Sequence, residues 1–232
     1  MDIQLRPYQE EALDAINTFS DKGINRQLVV LPTGAGKTVI FSHLPQTKND
    51  SLPMLVLAHR AELLYQAKEK IGWSNPELDI QIEQADNVAG HCDVVVASVP
   101  TLGRAESERI LKYPKDYFKT IIVDEAHHIC AKVFSQSLFK LCPRHIYGLS
   151  ATPERKDGLT KVLHWFMGPT FFAVERKNQG QVEVFPVVFD SPNYKNPPPS
   201  MRNGKISMPN MITELVEDRT RNKMLVELVK KA

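Results

Sequence analysis

Along the first 150 residues, short uninterrupted apolar runs alternate with longer segments whose apolar positions recur every three or four residues. The runs are QLVVL (27–31), MLVLA (54–58), DVVVAS (93–98), TIIVD (120–124) and IYGLS (146–150). None alternates apolar with polar, which predicts strands covered on both faces, as in a parallel sheet. Between them, YQEEALDAINTF sets Tyr8, Ala12, Ile16 and Phe19 at helical spacing, and AELLYQAKEKIG behaves similarly as far as Gly72. Both predict amphipathic helices. Strands alternating with helices predict an α/β fold, a mostly parallel sheet flanked by helices on both faces. Ligands of such sheets bind at the carboxyl ends of the strands, where the loop 32–38, Asp124 and Ser150 all emerge.

After Gly168 the pattern changes to two β-like runs, TFFAVE (170–175) and VEVFPVVFD (182–190), then the Pro-rich SPNYKNPPPS (191–200). Pro197, Pro198 and Pro199 cannot continue a helix or a central strand, so they read as a linker or an extended crossing segment. A charged helical tail follows from about Met211 to Ala232, with Leu215, Met224, Leu225 and Leu228 spaced along it. The expected organisation is a domain over 1–170, crossing strands and linker over 171–209, and a helical start of a truncated second domain over 210–232.

Composition narrows the class. With 232 residues and 42% hydrophobic content the chain can bury a full core. Its 29 Lys and Arg against 27 Asp and Glu leave a formal charge of +2. A nucleic-acid partner would therefore be held by local groups and backbone amides rather than by bulk charge. Cys92, Cys130 and Cys142 are widely separated and odd in number, which excludes a CxxC metal pair and argues against a disulfide framework. No run approaches the roughly 18 apolar residues of a membrane span, and MDIQLRPYQ lacks the apolar core of a signal peptide. The expectation is an intracellular, soluble protein of the cytoplasm, nucleus or a viral replication site, with no membrane partner.

The chemistry is concentrated in two stretches. In VVLPTGAGKTVIF (29–41), Thr33, Gly34, Ala35 and Gly36 form a permissive loop before Lys37 and Thr38. Such a loop can turn its N–H groups around an anion, with the following helix N-terminus adding positive potential. In the P-loop pattern Lys37 reaches the β/γ-phosphates of ATP and the Thr38 hydroxyl ligates Mg²⁺. Leu31 stands where the strict pattern has its first glycine. In TIIVDEAHHI (120–129), an acidic pair leaves the end of a strand. Alone this is a common turn. Beside a P-loop, Asp124 suits Mg²⁺ and Glu125 suits the base that accepts a proton from water attacking the γ-phosphate.

PTGAGKT (32–38), DEAH (124–127) and LSATP (149–153), in that order, resemble the first, RecA-like motor domain of superfamily 2 helicases with a DEAH-type second motif. ATPERKDG (151–158) is most similar to the subgroup of repair and transcription helicases of eukaryotes, phage and large DNA viruses. The resemblance covers about residues 5–168 and implies the following roles. LRPYQ (5–9) is similar to the adenine-reading segment, with Gln9 on the base edge and Arg6 and Tyr8 shaping its pocket. His127, Ser150 and Thr152 fall on the motifs that couple the ATP site to the nucleic-acid groove. LAHRAEL (57–63) and ASVPTL (97–102) match segments that touch the phosphate backbone, which implies Arg60, Ser98 and Thr101 as contacts. Nothing after residue 168 matches the family's Gln-x-x-Gly-Arg-x-x-Arg motif, and Arg219 and Arg221 lack the accompanying glycine.

The leading expectation is thus an ATP- and Mg²⁺-dependent helicase or translocase acting on nucleic acid, DNA favoured and RNA possible. A small-molecule phosphotransferase would share the P-loop but has no use for DEAH and SAT at strand ends. A nucleotide-dependent nucleic-acid-binding switch or scaffold without strand separation is the other alternative. His59, His91, His128, His145 and His164 have no metal-ligand spacing and read as packed or solvent-facing residues, and Trp73 and Trp165 as core or interface residues rather than stacking platforms.

Overall fold

The computed structural model of the chain describes residues 4–48, 50–102, 108–130, 140–152, 154, 158–174, 185–189, 201–202 and 205–231. The chain divides into two compact units, Met1–Asn178 and Gln179–Ala232. In the first, β1 (Arg26–Val30), β2 (Met54–Ala58), β3 (Ile80–Glu83), β4 (Val94–Ser98), β5 (Thr120–Val123), β6 (His145–Ser150) and β7 (Thr170–Ala173) form one sheet. The strand order is β3-β4-β2-β5-β6-β1-β7. Every neighbouring pair is parallel.

The uninterrupted apolar runs are explained by burial from both sides. Val29, Met54, Val56, Val94, Val96, Ile122 and Leu149 pack against α1 (Pro7–Asp21), α2 (Lys37–Ser42), α3 (Leu44–Thr47) and α4 (Ala61–Ser74) through Ala12, Ile16, Phe41, Leu44, Leu64 and Ile71. Their neighbours Leu28, Leu55, Leu57, Val95, Ile121 and Val123 point the other way. They meet Leu102 of α5 (Val99–Leu102), Phe118, Ala126 of a 3-10 turn (Ala126–Cys130), and Leu163 and Met167 of α6 (Thr160–Met167). Gly148 of β6 lets this second layer lie close to the sheet. A Cβ there would come 2.7 Å from Met167 Sδ and 3.1 Å from Ala126 Cβ.

Two elements differ from the sequence expectation. The edge strand β3, IQIE, is short and carries polar residues at alternate positions, so no continuous apolar run announces it. In the second unit the helical tail is two helices, α7 (Met208–Glu217) and α8 (Arg219–Lys231). Asp218 separates them: its backbone is extended, and its Oδ1 accepts a hydrogen bond from Arg221 N at 2.8 Å, capping the second helix. A two-stranded antiparallel ribbon, Met201–Arg202 with Lys205–Ile206, precedes them. Of the β-like run 182–190 the described part, Phe185–Phe189, is not a strand, and the Pro-rich 191–200 lies outside the described residues. Among the described residues no helix is long and apolar enough to cross a membrane.

Candidate nucleotide site and nucleic-acid face

Leu31 N bonds Ser150 O at 2.9 Å and carries the β1–β6 pairing one residue past β1. The chain then turns through Gly34 (φ 81°) and Gly36 (φ 76°), left-handed conformations that glycine adopts without strain, and Gly36 becomes the N-cap of α2. The start of α1 clamps this loop. Tyr8 Oη donates to Ala35 O at 2.9 Å, and Gln9 Nε2 donates to the same oxygen at 3.0 Å. Gln9 Oε1 accepts from Arg6 N at 2.9 Å, and Arg6 Nη1 donates to Tyr8 Oη at 3.1 Å. A Cβ on Gly36 would come 2.6 Å from Gln9 Nε2, so the clamp itself requires glycine there. Arg6, Tyr8 and the loop 32–35, with Val174, line a cavity of ≈ 180 Å³. Arg6, Gln9, Thr33, Gly34, Ala35 and Gly36 are therefore one assembly. Gln9 has one N–H and one lone pair left for a base edge.

Two strands away, Asp124 N bonds Leu57 O at 3.0 Å and prolongs β5 alongside β2. Glu125 follows with φ 48°, a left-handed conformation strained for a non-glycine residue and typical of functional sites. Its carboxylate meets the P-loop cation: Lys37 Nζ donates to Glu125 Oε1 at 2.9 Å. The other oxygen, Oε2, is 3.4 Å from His127 Nδ1, which is also 3.1 Å from Ser150 Oγ. Ser150 Oγ accepts from Thr152 N at 3.2 Å. Lys37, Glu125, His127, Ser150 and Thr152 thus form one connected polar chain over the ends of β1, β5 and β6.

Asp124 is nearly buried, and its Oδ1 accepts from Glu125 N at 3.0 Å. Burial first, and then the charge of Glu125, push its carboxyl above the ordinary value, against the pull of Lys37. A divalent cation beside it would relieve that penalty. The Thr38 hydroxyl and Asp124 carboxylate are hard oxygen donors of the kind Mg²⁺ takes alongside phosphate oxygens and water. Among the described residues no group of three or more His, Cys, Asp or Glu could cage a metal.

The remaining expected residues lie on the neighbouring strand ends. Ala58 pairs with Ser98 across β2 and β4, so Arg60, the exposed N-cap of α4, and Ser98 leave the sheet side by side, with Thr101 one helical turn further in α5. Ser98 is buried and Arg60 exposed. The sequence reading missed Glu83, whose side chain is wholly buried where β3 ends. It accepts from Arg109 Nη1 at 2.8 Å, Lys112 Nζ at 2.5 Å and Ala89 N at 2.9 Å. Only the unrecognised strand β3 would have marked it as facing inward. Nor did histidine spacing reveal that His59 and His128 stack on one another.

Residues 2–155 match the family described as the type III restriction enzyme, res subunit. The chain belongs to this family. It is a superfamily 2 helicase motor domain. The "Putative mitochondrial ATP-dependent helicase irc3" of Schizosaccharomyces pombe is 38% identical over 167 residues, covering 67% of this chain and 27% of that protein. The zebrafish (Danio rerio) general transcription and DNA repair factor IIH helicase/translocase subunit XPB is 30% identical over 193 residues, covering 77% of this chain and 24% of that one. Among solved structures, the Sulfolobus solfataricus SWI2/SNF2 ATPase core in complex with dsDNA matches with a TM-score of 0.57 at 20% identity, over 72% of this chain and 36% of that one. That likeness shows the RecA-like fold. The res-family chain spans about a quarter of the length of the two relatives named.

Proposed function

We propose that this res-family motor domain binds ATP with Mg²⁺ between the loop 32–38 and the Asp124–Glu125 pair, and that hydrolysis drives movement on, or remodelling of, nucleic acid, with DNA preferred to RNA. The observation that carries the reading is the 2.9 Å ion pair between Lys37 and Glu125, which joins the P-loop cation to the strand-end carboxylate. In the proposed reaction the β/γ-phosphate oxygens replace Glu125 as the partner of Lys37. Glu125 is thereby freed to orient the attacking water and accept its proton. Thr38 and Asp124 would hold the Mg²⁺, which when bound neutralises charge on the phosphate oxygens. Arg6 and Gln9 position the base. His127, Ser150 and Thr152 pass the state of the γ-phosphate side to Arg60, Ser98 and Thr101, which grip the sugar-phosphate backbone.

The preference for DNA draws on the relative named for DNA repair and the structural neighbour bound to dsDNA. The greater length of the relatives supports a second RecA-like domain that begins with the helices after residue 209 in the native protein. The test is the ATPase rate of the full-length protein titrated with single- and double-stranded DNA and RNA. Stimulation by DNA beyond RNA is expected. Turnover indifferent to every nucleic acid would overturn the motor reading.

A further inference from the structure

The carboxyl edge of the sheet is shared between two groups of residues. The nucleotide group sits on β1, β5 and β6, and the nucleic-acid group on β2 and β4, so the border between them is the β2–β5 pair. At that border the residue after β2 and the 3-10 turn after β5 touch through their rings. His59 and His128 stack with centroids 5.2 Å apart and planes inclined by 24°. His128 in turn lies 4.2 Å from the ring of His127, and its backbone N bonds Glu125 O at 2.9 Å. His59 directly precedes Arg60, whose backbone oxygen accepts from Leu63 N at 3.2 Å in the first turn of α4. A continuous line of contacts therefore runs from Glu125 through His127, His128 and His59 to the N-cap of α4.

Resting on the motor reading above, we propose that His128 and His59 are positioning residues, a stacked relay by which the nucleotide state of Glu125 sets the orientation of the Arg60 segment toward nucleic acid. Glu125 changes partner when a triphosphate takes Lys37. Its other oxygen is against His127, so the 3-10 turn is the first element to register the exchange, and the flat stack transmits displacement of the turn to the start of α4. Both rings of the pair are exposed, so the stack is not a core contact that folding requires.

The experiment measures the affinity of the full-length protein for a fluorescent single-stranded DNA with and without a non-hydrolysable ATP analogue and Mg²⁺. Wild type, H128A, H59A, the double variant and H128F are compared. In the wild type the analogue should change DNA affinity by at least about fivefold, the lower end of ordinary coupling between sites. Either alanine should reduce that change to less than twofold, with affinity for each ligand alone unaltered. The double variant should do no more than either single one, as members of one chain of contacts behave. H128F, which keeps a flat ring, should retain the coupling. Full coupling in H128A refutes the relay while leaving the motor reading intact, as does a wild type that binds both ligands independently. Weaker DNA binding in H59A with coupling preserved would make His59 a contact instead of a relay. A wild type that binds neither ligand refutes both proposals.

Discussion

Replacing Glu83 by Gln tests whether one buried carboxylate holds the segment beside the proposed nucleic-acid face. Its side chain is fully buried, whereas those of Arg109 and Lys112 are 32% and 28% exposed. All three of its partners are donors: Arg109 Nη1, Lys112 Nζ and Ala89 N. Gln keeps the shape but removes the charge and turns an NH₂ group toward those donors, so one of them loses its acceptor. Breaking a buried ion pair from one side costs about 3–5 kcal/mol. Arg109 also bonds Asn87 O and Ala85 O, and both cations reach water, which places the loss near the lower end, about 3 kcal/mol. For a unit of this size each kcal/mol shifts Tm by roughly 2–4 °C, so E83Q should melt about 6–12 °C lower by circular dichroism. E77Q, at an exposed glutamate, is the control and should move little. A fall of less than about 3 °C, within what a surface substitution produces, would show that the two cations rehydrate without penalty and that Glu83 is not the joint described.

Three further outcomes follow from the site and its surroundings. E125Q should still bind ATP while hydrolysis by the full-length protein drops by roughly 10²-fold or more, the scale of a lost acid/base group; retained turnover would move the base elsewhere. Because burial raises the Asp124 carboxyl, folding favours its acid form and stability is lost as pH rises through the folded value. D124N should therefore raise Tm at neutral pH while abolishing Mg²⁺-dependent ATPase, and a lower Tm would contradict the assignment. Burial, and then Lys48, hold the buried His145 imidazole below its ordinary value, with Asp50 opposing them. The unfolded chain then takes up the proton first, so stability present above about pH 6.5 declines as pH falls through that value, and H145Q should flatten this slope in urea titrations between neutral pH and mildly acidic pH.

The central strands were legible because double burial leaves no place for polar residues: MLVLA matches β2 residue for residue. The edge strand β3 was not, since Gln81 and Ile82 are only partly covered and the local pattern resembles a loop. The P-loop and acidic pair were legible as motifs, because their spacing encodes a strand, a turn and a helix. Their join was not. The 2.9 Å contact of Glu125 to Lys37 and the clamp of Tyr8 and Gln9 on Ala35 are long-range facts, separated by 26 to 88 positions in sequence. Composition could not reveal the Glu83 cluster either, since its charges come from β3 and from Arg109 and Lys112, joined only by the fold.

In the two-domain relatives that the sequence resembles, the nucleotide lies between domains, and arginines of the second meet the γ-phosphate as charge spreads over its oxygens. Within this chain Arg221, one of the arginines after the Pro-rich stretch, is engaged locally: its Nη1 donates to Leu215 O and to Asn222 Oδ1, bracing the junction of α7 and α8. Loss of an arginine finger lowers phosphoryl transfer by about 10³ to 10⁵. The chain should therefore bind nucleotide weakly and turn it over slowly, even with Lys37, Asp124 and Glu125 in place. Translocation should fail more completely, since it needs two grips whose separation changes with nucleotide state, and on the proposed reading Arg60, Ser98 and Thr101 would make only one. The measurement compares ATPase and strand separation by this chain and by a form that carries a second RecA-like domain, at equal concentration. Equal rates would place the missing positive charge within these residues and refute the two-domain mechanism.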